Sequence, residues 1–235
     1  MTTSEPHPLT GQPVGPLIDT TPAQRPGPVR LDGRYGRVER LGAAHAASLL
    51  HAVQGADAIW TYIANSGPFA DAAQFEDWLT RRIATEDPYA YAILDGEGRV
   101  LGTAALMSIR PAMKVIEVGS IVYAPALQRT PLGTEAQYLL ARYAFETLGY
   151  RRYEWKCDAL NVASRRGALR YGFVFEGIFR QHMIINGRSR DTAWYAMLES
   201  DWPARKAAFE RWLAADNFTG GRQKTSLAAL NGVSA

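Results

Sequence analysis

A strand, a loop and a helix in the middle of the chain hold the residues best suited to grip an anion. Ile116-Glu117-Val118-Gly119-Ser120-Ile121-Val122-Tyr123 reads as the strand, 124–130 as the loop, and Pro131-Leu132-Gly133-Thr134-Glu135-Ala136 as the helix start. The first turn of a helix has unpaired N–H groups and the positive end of the dipole, so a loop feeding it can seat a pyrophosphate. Other chemistries lack their residues. There is no Gly-x-Ser-x-Gly elbow, no Gly-x-x-x-x-Gly-Lys loop and no dinucleotide fingerprint with its acidic partner. His45 and His51 are not at ligand spacing on a helix, and Cys157 is the single cysteine, so neither a metal site nor an internal disulfide is expected. From Arg151 to Arg190 nine Lys/Arg face three acids. That stretch is either a polyanion site or a solvated face whose arginines lie over a sheet.

Periodicity places these residues on alternating elements. Arg34–Leu41 reads as a strand, and Ala43–Val53 and Asp71–Thr85 as helices, with Asp71 as N-cap and Pro88 as the stop. Tyr89–Leu94 and Val100–Ile109 alternate on either side of Asp95-Gly96-Glu97-Gly98, a hairpin signal, and Val115–Tyr123 follows. Pro131 opens a helix to about Leu148, closed by Gly149. Tyr153–Cys157 is a short strand and Asn161–Tyr171 a short helix. Phe173–Ile185 and Arg188–Leu198 flank Asn186-Gly187, a type I′ turn pair. Pro203 then begins a last helix.

The chain has 235 residues, 47 % hydrophobic and 21 % charged, with net charge +3. Such a composition suits one globular core with tails. The division expected is a proline-rich arm over 1–28, a domain over 29–203, a helix over 204–218 and a flexible tail over 219–235. No apolar run is long enough for a membrane span, and the polar start lacks the pattern of a secretory signal. A cytoplasmic protein with no membrane and no nucleic-acid partner is the expectation.

Gln128-Arg129-Thr130-Pro131-Leu132-Gly133 resembles the pyrophosphate signature Gln/Arg-x-x-Gly-x-Gly/Ala of the GNAT acyl-CoA N-acyltransferases, with Pro131 in place of the first glycine. Asn161-Val162-Ala163-Ser164, then Gly172-Phe173 and Glu176-Gly177, resembles the second signature, and Arg180 fits the branch similar to ribosomal-protein N-terminal acetyltransferases. The resemblance covers about 34–202. It implies a mixed α/β fold: a mostly antiparallel sheet of about seven strands, splayed between the strand ending at Tyr123 and that containing Cys157, flanked by about four helices and an extra C-terminal helix. It also implies an acyl-CoA co-substrate, acetyl-CoA by default and succinyl-CoA as the alternative, whose pantetheine lies in the splay against Ile121, Val122 and Tyr123. Gln128, Arg129, Thr130, Leu132, Gly133 and Thr134 would then hold the phosphates, and Asn161, Ser164 and Arg165 the rest of the coenzyme. Pro131 has no N–H, so the contacts should shift to Arg129, Thr130, Gly133 and Thr134.

Roles follow from the reaction the resemblance implies, transfer to a primary amine on a small molecule or peptide by direct attack in a ternary complex. The amine must lose a proton, the oxyanion needs a donor, and the thiolate benefits from an acid. Glu117 is the candidate base, with His182 as the alternative, and Val122 N–H is the candidate oxyanion donor. Many relatives place a tyrosine seven residues after the Asn, where this chain has Ala168. Ser164 is the replacement suggested by the ribosomal branch. The missing tyrosine and Pro131 leave a second reading open, a non-catalytic CoA-sensing or protein-binding module. Trp155, Trp194 and Tyr195 are candidates for a homodimer surface.

Overall fold

The structure, a computed structural model, describes Ser4–Val233. In chain order the elements are β1 (Glu5–Pro6), β2 (Pro13–Val14), β3 (Arg30–Asp32), β4 (Gly36–Arg40), α1 (Ala46–Val53) and α2 (Ala72–Ala84). The centre is β5 (Tyr89–Asp95), β6 (Val100–Arg110), β7 (Val115–Tyr123), α3 (Pro131–Arg142), β8 (Arg152–Asp158) and α4 (Val162–Arg170). The chain ends with β9 (Val174–Ile185), β10 (Arg188–Leu198), α5 (Trp202–Leu213), β11 (Phe218–Thr219), β12 (Arg222–Gln223) and α6 (Leu227–Leu230).

One sheet of eight strands, ordered β3-β4-β5-β6-β7-β8-β10-β9, organises the domain. This is the expected mixed architecture with one strand more, the short edge strand β3. All neighbours are antiparallel except β7 and β8. That parallel pair holds only through Val115↔Arg152, Ile116↔Tyr153 and Glu117↔Glu154. Beyond it Val118–Tyr123 pairs with β6 alone and Trp155–Asp158 with β10 alone, so the sheet opens into a cleft with two unpaired inner edges. Main-chain groups left without a strand neighbour need another partner, which an extended ligand can supply.

The faces carry separate cores. Tyr91, Ile116, Tyr153, Trp155 and Tyr195 are buried against α3 and α5 with Leu139, Leu140 and Phe209. On the opposite face Leu49, Val53, Trp60, Phe75, Trp78 and Leu79 of the α1–α2 region cover Ala90, Ala92, Ala105 and Val122. Small alanines on the strands let the large aromatics of α2 approach the sheet closely. Local rules explain the boundaries. The Asp71 side chain accepts from Gln74 N–H at 2.9 Å and caps α2. Asn186 and Gly187, both left-handed at φ 50° and 72°, make the β9–β10 turn.

Where a flexible tail is expected, the described residues 219–233 form a ribbon and the turn α6, and Leu227 is fully buried. The arm is tied down near its end, with Gln24 N–H donating to Leu148 O at 2.8 Å and Tyr91 OH to Gly27 O at 3.2 Å. The proposed dimer residues meet an alternation effect. Trp155 and Tyr195 point to the helix side and are 6 % and 1 % exposed, so they belong to this chain's own core and form no surface. Trp194 faces the other way. Among the described residues no helix is long and apolar enough to cross a membrane.

Candidate active site

Glu117 is the last residue of β7 paired to β8, so its side chain stands where the cleft begins. It is buried, on the face opposite α3. Its Oε2 accepts from Ser108 Oγ at 2.9 Å and pairs with Lys156 Nζ at 3.0 Å. Its Oε1 packs over Gly119, where a Cβ would lie 3.1 Å from it. One oxygen is therefore pinned, while the other lies along the strand that lines the opening. Ser108 is itself held, its N–H donating to Asp87 Oδ1 at 2.8 Å.

Lys156 links two carboxylates. Its Nζ is 3.1 Å from Glu154 Oε2 and 4.0 Å from the centre of the Trp194 ring. Glu154 also accepts from Arg152 and Arg110, and Arg152 continues to Glu176. Burial pushes the Glu154 carboxyl up, but the Arg152 hydrogen bond and the Lys156 and Arg110 charges outweigh it and hold Glu154 below its ordinary value of 4.5. A depressed folded-state value stabilises the protein above that ordinary value, and this stability is lost as the pH falls through the folded value. Glu154→Gln should therefore flatten the stability curve in that acidic window, as read by denaturant unfolding at stepped pH. An unchanged slope would show that Glu154 makes no ionic contribution.

β7 carries a bulge. Thr103 pairs with Val122 and Ala105 with Gly119, so Ser120 and Ile121 oppose Ala104 alone, and Ser120 is left-handed at φ 49°. Arg82 of α2 holds this bulge, its Nη1 donating to Ser120 Oγ at 2.5 Å and its Nη2 to Ser120 O at 2.7 Å. The guanidinium is buried with no carboxylate partner among the described residues, and burial, with the nearby Arg40 charge, lowers its pKa to about 10. It remains a cation at neutral pH.

The phosphate-loop residues divide into those the protein already uses and those left free. Thr130 caps α3, its Oγ1 accepting from Gly133 N–H at 3.1 Å and donating to Leu127 O at 2.7 Å. Thr134 N–H donates to Thr130 O, and its hydroxyl accepts from Arg170 Nη1 at 3.0 Å. The N–H groups of Arg129 and Leu132 meet no such partner among the described residues. Arg129 is left-handed at φ 60°, which turns the loop into the helix. The expectation that Gly133 and Thr134 N–H groups take the phosphates thus meets an internal cap, and the open donors sit one residue either side of Thr130-Pro131. Tyr123 turns toward α3, where its OH donates to Gly133 O and accepts from Gln137, both at 2.7 Å. Its carbonyl accepts from Gln128 Nε2 at 3.0 Å. Ile121 is half-buried and Val122 buried.

Across the cleft, Asn161 Oδ1 accepts from Ser164 N–H at 3.0 Å as the cap of α4, which leaves its NH₂ available. Ser164 Oγ accepts from Trp155 Nε1 at 3.0 Å. Burial pushes the Cys157 thiol up, so Cys157 is a poor nucleophile. Arg165 is directed to Tyr195 OH and Ala159 O, at 3.2 and 3.3 Å. Ala168 is fully buried in the core, so no acid stands at that position. His182 is exposed on β9, its Nδ1 3.0 Å from Thr192 Oγ1, with Trp194 between it and Lys156. The structure brings Glu117 to the cleft apex and Ser164 and Asn161 to one wall, and sets His182 apart on the edge strand.

Sequence reasoning missed Lys156, Ser108, Arg82 and Arg170. Lys156 had a signal: 114, 156, 206 and 224 are the only lysines among 26 basic residues, and alternation puts 154 and 156 on one face. Arg82 and Ser108 reach the site only through packing between distant segments.

With this geometry in view, the relatives are informative. Residues 37–174 match the family described as "Acetyltransferase (GNAT) domain". A crystal structure of a GCN5-related N-acetyltransferase from Brucella melitensis is 46 % identical, with a TM-score of 0.87 over 91 % of this chain and 98 % of that one. A probable acetyltransferase of the GNAT family from Chromobacterium violaceum is 37 % identical, with a TM-score of 0.77 over 82 % and 98 %. The Bacillus subtilis protein named "Putative ribosomal N-acetyltransferase YdaF" is 27 % identical over 145 residues, 59 % of this chain and 79 % of that one.

Proposed function

The chain belongs to the GNAT acetyltransferase family, and from that premise we propose that it moves the acetyl group of acetyl-CoA to a primary amine of a peptide or protein. The observation that carries this reading is the opening of the sheet directly after Glu117↔Glu154, with a carboxylate at its apex. Pantetheine threads the gap and pairs with the free edges of β7 and β8. The diphosphate sits at the start of α3 against the N–H groups of Arg129 and Leu132, with the exposed Arg129 side chain supplying charge. The acceptor enters from the face carrying Glu117, and a peptide or protein acceptor is in keeping with the ribosomal substrate that the YdaF name gives for that relative.

Glu117 Oε1 takes the proton of the incoming ammonium, directly or through water, and the free amine attacks the thioester carbon. A main-chain N–H on the cleft edge of β7 receives the oxyanion, since Val122, the residue expected for this role, pairs with Thr103 of β6 and turns its N–H away from the cleft. No covalent enzyme intermediate is invoked, since the one thiol is buried and its pKa is raised. The thiolate leaves beside Ser164, which stabilises it as a hydrogen-bond donor. Steady-state CoA release with a panel of peptides and small amines tests the reading. Acetyl-CoA binding without release above background for any amine would instead favour the CoA-sensing module, which Ala168 in the usual tyrosine position supports.

Asn161→Ala removes both the α4 cap and the amide aimed at the pantetheine. It should raise the KM for acetyl-CoA more than it lowers kcat, and cost about 1 kcal/mol of stability. The reverse kinetic pattern would remove Asn161 from the binding set.

A further inference from the structure

Lys156 Nζ lies 3.0 Å from Glu117 Oε2, an ammonium on the carboxylate whose other oxygen is proposed to take the acceptor's proton. Lys156 belongs to β8 two residues beyond the last pairing with β7, in the stretch that walls the cleft. Its side chain is only 14 % exposed, so it is reached from within the cleft and little from bulk solvent. It is also an uncommon choice for this protein, which has four lysines in all and uses arginine elsewhere. Arginine stays charged and cannot take an acyl group at neutral pH, whereas a lysine amine can.

We infer that Lys156 is an internal acyl acceptor: with acetyl-CoA bound and no amine substrate present, the enzyme acetylates its own Lys156. The inference rests on the proposed reading of Glu117 and the cleft. Lys156 Nζ passes a proton to Glu117, its lone pair forms a C–N bond to the thioester carbonyl carbon, and the C–S bond breaks. The nitrogen's second proton passes to the departing thiolate, which leaves as CoA-SH, and Glu117 returns the first to solvent, so the step releases one proton and consumes no other reactant. Before reaction the ammonium is held by two carboxylates, and these contacts must be given up before the amine can attack, which makes the transfer slow. Afterwards the amide no longer carries the charge that Glu117 and Glu154 share, so acceptor turnover falls as the modification accumulates. An external amine that occupies the same place protects Lys156, which ties the modification rate to the supply of acceptor.

The experiment incubates the full-length protein with acetyl-CoA alone and follows intact mass and peptide maps over hours, with CoA release to an amine panel measured in parallel. One acetyl group should appear on Lys156 on the order of tenfold faster than on Lys114, Lys206 or Lys224, because the donor is held beside it. A reactive amine substrate should slow this. Lys156→Arg, which keeps the charge, should fold as the parent by circular dichroism and lack the increment. If amines are turned over while Lys156 stays unmodified, or is modified no faster than the other lysines, self-acetylation is overturned and the proposed function stands. If there is neither binding nor release of CoA, both fall together.

Discussion

Glu117→Gln should lower kcat/KM for the amine acceptor by about 10²–10³-fold at neutral pH, the usual range for loss of a positioned proton acceptor. Glutamine keeps the volume, and its carbonyl can still accept from Ser108 Oγ, so the cleft apex should keep its shape. The difference lies in proton affinity, since an amide cannot take a proton from an ammonium. Lys156 retains Glu154 as a partner, which limits the structural loss. A second signature is kinetic. Activity of the variant should rise steeply with pH as more free amine is supplied by the solvent. Retention of full activity across the pH range would show that the proton leaves by another route and would return attention to His182.

Arg82→Ala should have the next largest effect, on stability and rate together. Two opposing contributions decide its sign. Removing a buried cation with no carboxylate beside it relieves a burial cost, but the change strands two acceptors, Ser120 Oγ and Ser120 O, that Arg82 satisfies at 2.5 and 2.7 Å. Each unpaired acceptor costs about 1–3 kcal/mol, and the vacated space beside Trp78 adds a cavity. A net loss of about 2–3 kcal/mol is expected from denaturant unfolding. Because Ser120 holds the left-handed turn of the bulge, kcat should fall by on the order of tenfold even under conditions where the variant is fully folded. Arg82→Lys, which can keep one donor, should fall between. A variant of normal stability and rate would show that the bulge holds its own shape.

Much of this was legible in the residues. The hairpins at Asp95–Gly98 and Asn186-Gly187 and the cap at Asp71 obey local rules, and the paired signatures at 128–133 and 161–177 locate the cleft. The remainder depends on distant segments meeting. β3 spans three residues and exists because β4 offers it an edge. The Glu117–Lys156–Glu154 group needs the parallel pairing of β7 and β8, which no periodicity reports. The competition for Gly133 N–H between a phosphate and the Thr130 hydroxyl also appears only once the helix start has a definite geometry. The tail from 219 reads as loose because its composition is weakly apolar, yet Leu227 fills a space that α4 and α5 create.

Three residue pairs join β7 to β8, so hydrogen bonding alone hardly fixes the angle between the two halves of the sheet, and the packing of α3 behind them sets it. A coenzyme lying in the gap would supply the rungs the sheet lacks and act as a temporary strand. The folded state would then gain stability with ligand concentration as RT ln(1 + [L]/Kd), and its melting point would report how full the enzyme is. On the proposed reading, the coenzyme would serve as substrate and scaffold at once.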